Sequence, residues 1–186
     1  MGAIVRRYPR IHLASRGDPF QTLARSIVGQ QISVKAAQSV WNRLVAAAPG
    51  MQAPAILGLE LAALRACGLS ERKASYIWDL AAQFAEGRLR PASWGEMSDA
   101  EVIADLVRVR GIGRWTAEMF LIFNLLRPDV LPLDDLGLQR AVGLSYRRGR
   151  AVSAATLERI ARAWQPWRSV ATWYLWRSLD PVPVEY

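Results

Sequence analysis

Two features of this sequence could do chemistry together. The first is Gly111-Ile112-Gly113, followed by Arg114-Trp115-Thr116-Ala117, lying between two helical patterns. A glycine turn there presents bare backbone N–H groups at a helix N-terminus, which suits a phosphate. The second is Asp135, twenty positions after Trp115, where another helix would begin. A carboxylate in that place is either a helix N-cap or a reactive group, and residue type alone leaves both readings open. An enzyme that holds a nucleic acid by its backbone and works on one nucleotide would need both parts.

What the chain lacks narrows the chemistry further. Cys67 is its one cysteine and His12 its one histidine. A disulfide framework, a Cys/His zinc site and a four-cysteine iron–sulfur cluster within the chain are therefore excluded. Nucleophile schemes that need histidine would rest on His12 alone. Carboxylates, hydroxyls, aromatics and arginine remain. The net charge is +8, and of 24 basic side chains only Lys35 and Lys73 are lysine. That excess favours a polyanionic partner, although a bias toward arginine on ordinary solvated surface gives the same composition. Arg147-Arg148-Gly149-Arg150 reads as a solvated basic loop.

The elements that must position these groups are helical nearly throughout, with no convincing run of alternating strand residues. Asp18-Pro19-Phe20-Gln21 starts one helix with a cap, a first-turn proline and a capping-box glutamine. Further helices are expected from Ser33 to about Ala48, Leu61 to Ala66, and Ser70 to the stop at Gly87. Ser98-Asp-Ala-Glu101 is a second capping box, leading to the glycine turn and then to a helix from Arg114 to Leu126. Pro128 and Pro132 bound an extended connector to Asp134-Asp135, and Asp134 is the better candidate for a purely structural cap. Ser153 to Ala163 and Pro166 to Leu179 complete an all-α chain of nine or ten helices. At 186 residues and 52% hydrophobic it is a folded globular protein. No uncharged apolar run reaches about 18 residues, and the N-terminus lacks a secretory core, so a cytoplasmic location is expected.

The run Gly-Ile-Gly-Arg-Trp-Thr-Ala resembles the helix-hairpin-helix DNA glycosylase superfamily, specifically its AlkA-type 3-methyladenine DNA glycosylase II branch. The resemblance covers nearly the whole chain. It includes Asp18-Pro-Phe, Ser26-Ile-Val-Gly-Gln-Gln-Ile-Ser33-Val-Lys35, and Gly68-Leu-Ser-Glu-Arg-Lys73-Ala. It continues through Leu131-Pro-Leu-Asp-Asp-Leu-Gly-Leu-Gln-Arg140, Trp164-Gln-Pro-Trp-Arg-Ser-Val-Ala171 and Trp176-Arg177. Larger AlkA-type enzymes carry an N-terminal β domain for which this chain has no room, so the compact form is implied. The implied fold has two helical lobes with the DNA and base cleft between them. One lobe spans about 19–126, with the hairpin at about 106–117, and the other joins 1–18 to 127–186.

The implied activity is removal of alkylated purines from duplex DNA in base excision repair: 3-methyladenine, with 7-methylguanine as a second candidate. By resemblance Asp135 is the catalytic aspartate, facing the cleft. Cleaving an N-glycosidic bond develops positive charge on the sugar. A carboxylate about 4 Å away, at an effective dielectric near 20, would contribute roughly 4 kcal/mol, or about a thousandfold in rate. It could also orient the attacking water. Superfamily members that also cut the strand place a lysine nucleophile where Trp115 stands here, so the implied mechanism uses water and has no lyase step. Trp115 and Trp176 match base-pocket aromatics, whose faces attract a cationic alkylated purine by roughly 0.5–2 kcal/mol. Core packing is the alternative, expected for most of the eight tryptophans, Trp164, Trp167 and Trp173 among them.

Gln31 matches the side chain that fills the gap left by a flipped nucleotide, with Ile32 as helper; alternatively these amides only cap helix ends. Phosphate binding falls to Arg110, Gly111, Ile112, Gly113, Arg114 and Thr116. The hairpin carbonyls of Val107, Val109 and Ile112 match those that hold a sodium or potassium ion in relatives, and no other cofactor is implied. Duplex DNA is the expected partner, not a membrane, with the chain acting as a monomer. Two departures bear on this. Met119 stands where such pockets carry tyrosine, which leaves open a deaminated or oxidised base as substrate. Arg110 stands where a proline is common, which either loosens the turn or adds a phosphate contact. A non-catalytic DNA-binding module is the other alternative; it would need neither Asp135 nor a pocket of tryptophans.

Overall fold

The computed structural model describes residues 1–9 and 12–180, which are all-helical with irregular connections and no strand. They form two compact units. One joins Met1–Ser15 to the segment from Leu121 onward, and the other is Arg16–Phe120.

The second of these carries α2 (Pro19–Gly29), α3 (Val34–Ala47), α4 (Ala53–Leu57), α5 (Leu61–Ala66), α6 (Glu71–Ala85) and α7 (Asp99–Leu106). It also holds most of α8 (Arg114–Phe123). Helix α6 is its centre, packing on α2, α4 and α5. Ala74, Ile77, Leu80 and Ala81 make one buried stripe at helical spacing, and the two alanines let neighbours approach closely. Leu23, Ile27, Leu44, Ile56 and Leu64 fill the space against it. Phe20, Phe84, Trp94 and Phe120 follow one another in edge-on contacts at 5.3, 6.4 and 5.2 Å.

The other unit is built from α1 (Gly2–Arg7), α9 (Leu136–Tyr146), α10 (Ala154–Ala161) and α11 (Arg168–Leu179). Leu138, Ala141 and Val142 of α9 bury against Leu157, Ala161 and Leu175. Helix α1 lies on α11, fixed at its end by the Tyr8 hydroxyl donating to the Arg177 carbonyl at 2.9 Å.

Caps read from the sequence close the expected helix starts. Asp18, Ser33, Ser70 and Ser153 each accept an N–H from their helix's first turn. The Ser98–Glu101 capping box is complete. Three expectations need correction. Helix α8 stops at Phe123 rather than Leu126, because Leu126 turns to positive φ and the Arg127 N–H returns to the Leu121 carbonyl. The division between units falls inside α8, before 126. Trp167 is not core: it stands at the N-cap of α11, 59% exposed, while Trp164 and Trp173 are buried. The short helices α1 and α4 have no counterpart in the sequence reading.

Candidate active site

The connector that delivers Asp135 is tied at its beginning to the start of α11. Arg168 grips Asp129 with two guanidinium bonds at 2.7 and 2.8 Å, and its backbone N–H reaches the same carboxylate at 3.2 Å. Asp129 thereby caps α11 from a distance, and the guanidinium holds its carboxyl below the usual carboxylate range. Ser169, fully buried, accepts the Val130 N–H, donates its hydroxyl to the Arg127 carbonyl and its N–H to that of Pro128. The next residues therefore leave a fixed point.

Asp135 is the N-cap of α9 and is 8% exposed. Its Oδ1 accepts the Leu138 N–H at 2.5 Å and the indole N–H of Trp176 at 2.8 Å. The cap reading is met, and the same bonds hold the carboxylate still, as the reactive reading would require. Pinning Oδ1 also fixes where Oδ2 points. Asp134 is exposed, so the cap expected of it belongs to Asp135. Trp176 lies stacked on Phe123, centroids 5.8 Å apart and planes 21° from parallel. A Cβ on Gly137 would sit 3.1 Å from Asp135 Oδ1 and 3.4 Å from the Trp176 indole, so glycine leaves room for the pair. Trp176 was expected as a pocket aromatic; its bond to Asp135 adds a positioning role.

The hairpin belongs to the other unit. Gly111 has φ +87°, and a Cβ there would meet the Tyr76 ring at 2.2 Å, so glycine is required twice over. Gly113 is exposed with open space where a Cβ would project, at the start of α8 and its first-turn N–H groups. Arg110 donates its backbone N–H to Asp79 Oδ2 at 2.9 Å, a bond no proline could make, so the turn is tied rather than loosened. Burial limits what two DNA-contact candidates can offer. Ile112 is 4% exposed and its N–H is spent on the Val109 carbonyl, making it a core anchor. Thr116 has a buried side chain, so what it would offer is backbone. Arg114 is exposed and pairs at 2.9 Å with Glu118, itself buried.

The turn between α2 and α3 lies against this hairpin. Gln30 donates its side-chain amide to the Gly111 carbonyl at 2.8 Å. Lys73 of α6 reaches across to the carbonyls of Val28 and Gln30 at 2.8 and 2.6 Å, closing the C-terminal end of α2. Burial pushes the Lys73 pKa down. Gln31 follows at φ +59°, exposed, with Ile32 41% exposed beside it. So the end of α2 is capped by a lysine, not by the amides, and Gln31 and Ile32 project from a braced turn. Lys73 and Gln30 carry no local signature of this; their partners lie 43 to 81 residues away in sequence.

Trp115 is 44% exposed and Met119, four residues on and on the same side of α8, is half-buried. An indole that exposed is not core packing. Cys67 is buried, its thiol directed to the carbonyls of Ala63 and Arg43 at 3.4 and 3.6 Å, a structural role. His12 is exposed. Among the described residues no group of His, Cys, Asp or Glu could hold a metal ion, and no helix is long and apolar enough to cross a membrane.

The all-helical scaffold is shared with base-excision DNA repair proteins. Residues 24–167 match the HhH-GPD superfamily of base excision DNA repair proteins, and the chain belongs to that family. It is 33% identical over 165 residues to DNA-3-methyladenine glycosylase 1 of Schizosaccharomyces pombe, covering 87% of this chain and 72% of that one. The crystal structure of a DNA-3-methyladenine glycosidase from Bacillus halodurans superimposes with a TM-score of 0.86 at 34% identity, covering 95% of this chain and 87% of that one. The Schizosaccharomyces pombe enzyme Mag1 in complex with abasic DNA does so with a TM-score of 0.83 at 28% identity, covering 100% and 93%.

Proposed function

We propose that this protein is a monofunctional DNA glycosylase that hydrolyses the N-glycosidic bond of alkylated purines in duplex DNA. 3-Methyladenine is the first substrate and 7-methylguanine the second. The observation that carries the reading is Asp135: a buried carboxylate held at one oxygen by a backbone N–H and an indole N–H. A group fixed in advance costs little reorganisation when charge develops near it. As the base leaves, the sugar becomes cationic; Asp135 stabilises that charge and orients the water that adds to it. The alkylated purine is itself cationic, so it departs without a strong general acid, and the exposed face of Trp115 offers it a cation–π contact.

Absence of a lyase step is supported by where the amines are. Trp115 occupies the place of the strand-cutting lysine, Lys73 is engaged by two carbonyls, and Lys35 lies exposed on α3. Gln31, backed by Ile32, fills the space of the flipped nucleotide, and the N–H groups around Gly113 take a phosphate. The carbonyls of Val107, Val109 and Ile112 would hold a monovalent cation. Neutral oxygens suit such an ion, and Val109, which already accepts one N–H, keeps a second lone pair. The ion would add positive charge beside the phosphate.

The test is release of free base from methylated duplex DNA by wild type and by Asp135→Asn. Wild type should release 3-methyladenine and leave an uncut abasic strand; Asp135→Asn should be slower by about a thousandfold. Equal rates in the two proteins, or strand cleavage trapped by borohydride, would overturn this reading.

A further inference from the structure

Three arginines share one hollow beside the hairpin, and of these only Arg110 has figured so far, as a candidate phosphate contact. Arg65 lies in the last turn of α5, Arg72 in the first turn of α6, and Arg110 just before the turn glycine. All three are exposed, and they line one hollow with Leu61, Ser75 and Glu71. Tyr76 organises two of them. Its hydroxyl accepts from Arg72 at 3.3 and 3.4 Å, and the Arg110 guanidinium lies 5.9 Å from its ring centroid. The same ring packs beneath Gly111, so both guanidinium groups are held next to the hairpin turn.

Like charges gathered around one hollow repel, and the usual remedy is an ion pair. Among the described residues none of Arg65, Arg72 and Arg110 is in one, although Arg88, Arg108, Arg114 and Arg168 all are. Glu71 offsets one of the three charges and pairs with none of them. The hollow is thus a cationic surface prepared for an anion, and guanidinium geometry fits phosphate oxygens in particular. A DNA strand supplies a phosphate about every 3.4 Å along the axis. A strand anchored at Gly113 therefore carries further phosphates past the hairpin.

We propose that Arg65, Arg72 and Arg110 form a second phosphate-binding site, which takes the backbone of the DNA strand beyond the hairpin contact. This rests on the reading of duplex DNA as the substrate. It also gives the departure at Arg110 two functions: its backbone N–H ties the turn to Asp79, and its side chain extends the footprint.

The experiment is binding of an unmodified duplex over a series of salt concentrations by wild type, Arg65→Ala, Arg72→Ala and Arg110→Ala. Arg159→Ala, on α10, removes the same charge elsewhere and serves as the control; thermal melts check that each variant is folded. Each hollow variant should make the slope of log affinity against log salt shallower by about 0.9, the value for one phosphate contact. The control should leave it unchanged. Slopes equal to wild type, or an equal change in the control, would overturn the site while leaving the glycosylase reading intact. A wild type that binds duplex but releases no base would sink the glycosylase reading and leave this one standing. A wild type that does not bind duplex would sink both.

Discussion

Replacing Trp176 with phenylalanine would keep a ring stacked on Phe123 and remove the indole N–H that reaches Asp135. The two roles of this residue can therefore be separated. A hydrogen bond to a charged group is worth about 1.5–3 kcal/mol, so the rate of base release should fall by roughly ten- to a hundredfold. Duplex affinity should stay within about threefold. A variant with unchanged turnover would mean that the carboxylate is positioned without the indole N–H. Gly137→Ala tests the same pair from the other side. Its methyl would crowd Asp135 Oδ1 at 3.1 Å and the indole at 3.4 Å, and the pair must give by a few tenths of an ångström. Turnover should drop, by less than for Trp176→Phe, with the melting temperature little changed. At this scale the sequence singles out Asp135, Trp115 and Trp176 as candidates, but not the bond joining Asp135 to Trp176. Those residues lie 41 positions apart and share no periodicity.

Among elements, helix starts are the most legible feature because capping is local. Ser98 and Glu101 announce their box within four residues, and the structure closes it. What stays hidden is how elements brace each other. Tyr76 beneath Gly111, Asp79 on the Arg110 N–H, and Lys73 on the end of α2 all project from α6, where sequence shows only an amphipathic helix. Lys73→Met would keep the length of the side chain and lose both carbonyl bonds, loosening the turn that presents Gln31. If that turn acts during base flipping, the loss should depend on how hard the base is to flip. Excision of a normally paired lesion should slow by about tenfold or more, and a lesion opposite an abasic site, already unstacked, should be nearly unaffected. Parallel kinetics on the two substrates separate this from general damage to the fold, which would lower both equally.

The whole molecule sets its behaviour in acid. With 24 basic and 16 acidic side chains, it is cationic at neutral pH and becomes more so as carboxylates protonate. Of those carboxylates, Glu101 completes the box of α7 and Asp129 closes the start of α11. Protonation therefore adds repulsion and removes caps together. Asp129 allows the sign to be worked out. Its folded pKa is depressed by Arg168, so it stabilises fully above the unfolded value of about 4 and loses that contribution as pH falls through the folded value. Both side chains are about three-quarters buried, so a bidentate pair of this kind is worth about 1 kcal/mol after screening. Asp129→Asn should lower the melting temperature at pH 7 by about 2–4 °C. Carried down to pH 3, the two melting curves should converge, because the wild type loses in acid what the variant never had. A gap that stays constant across the range would show that asparagine costs packing at the connector rather than charge. Since the same connector delivers Asp135, turnover at pH 7 should fall in the variant even at temperatures well below its melt. That drop would tie the fold's acid-sensitive joint to its chemistry.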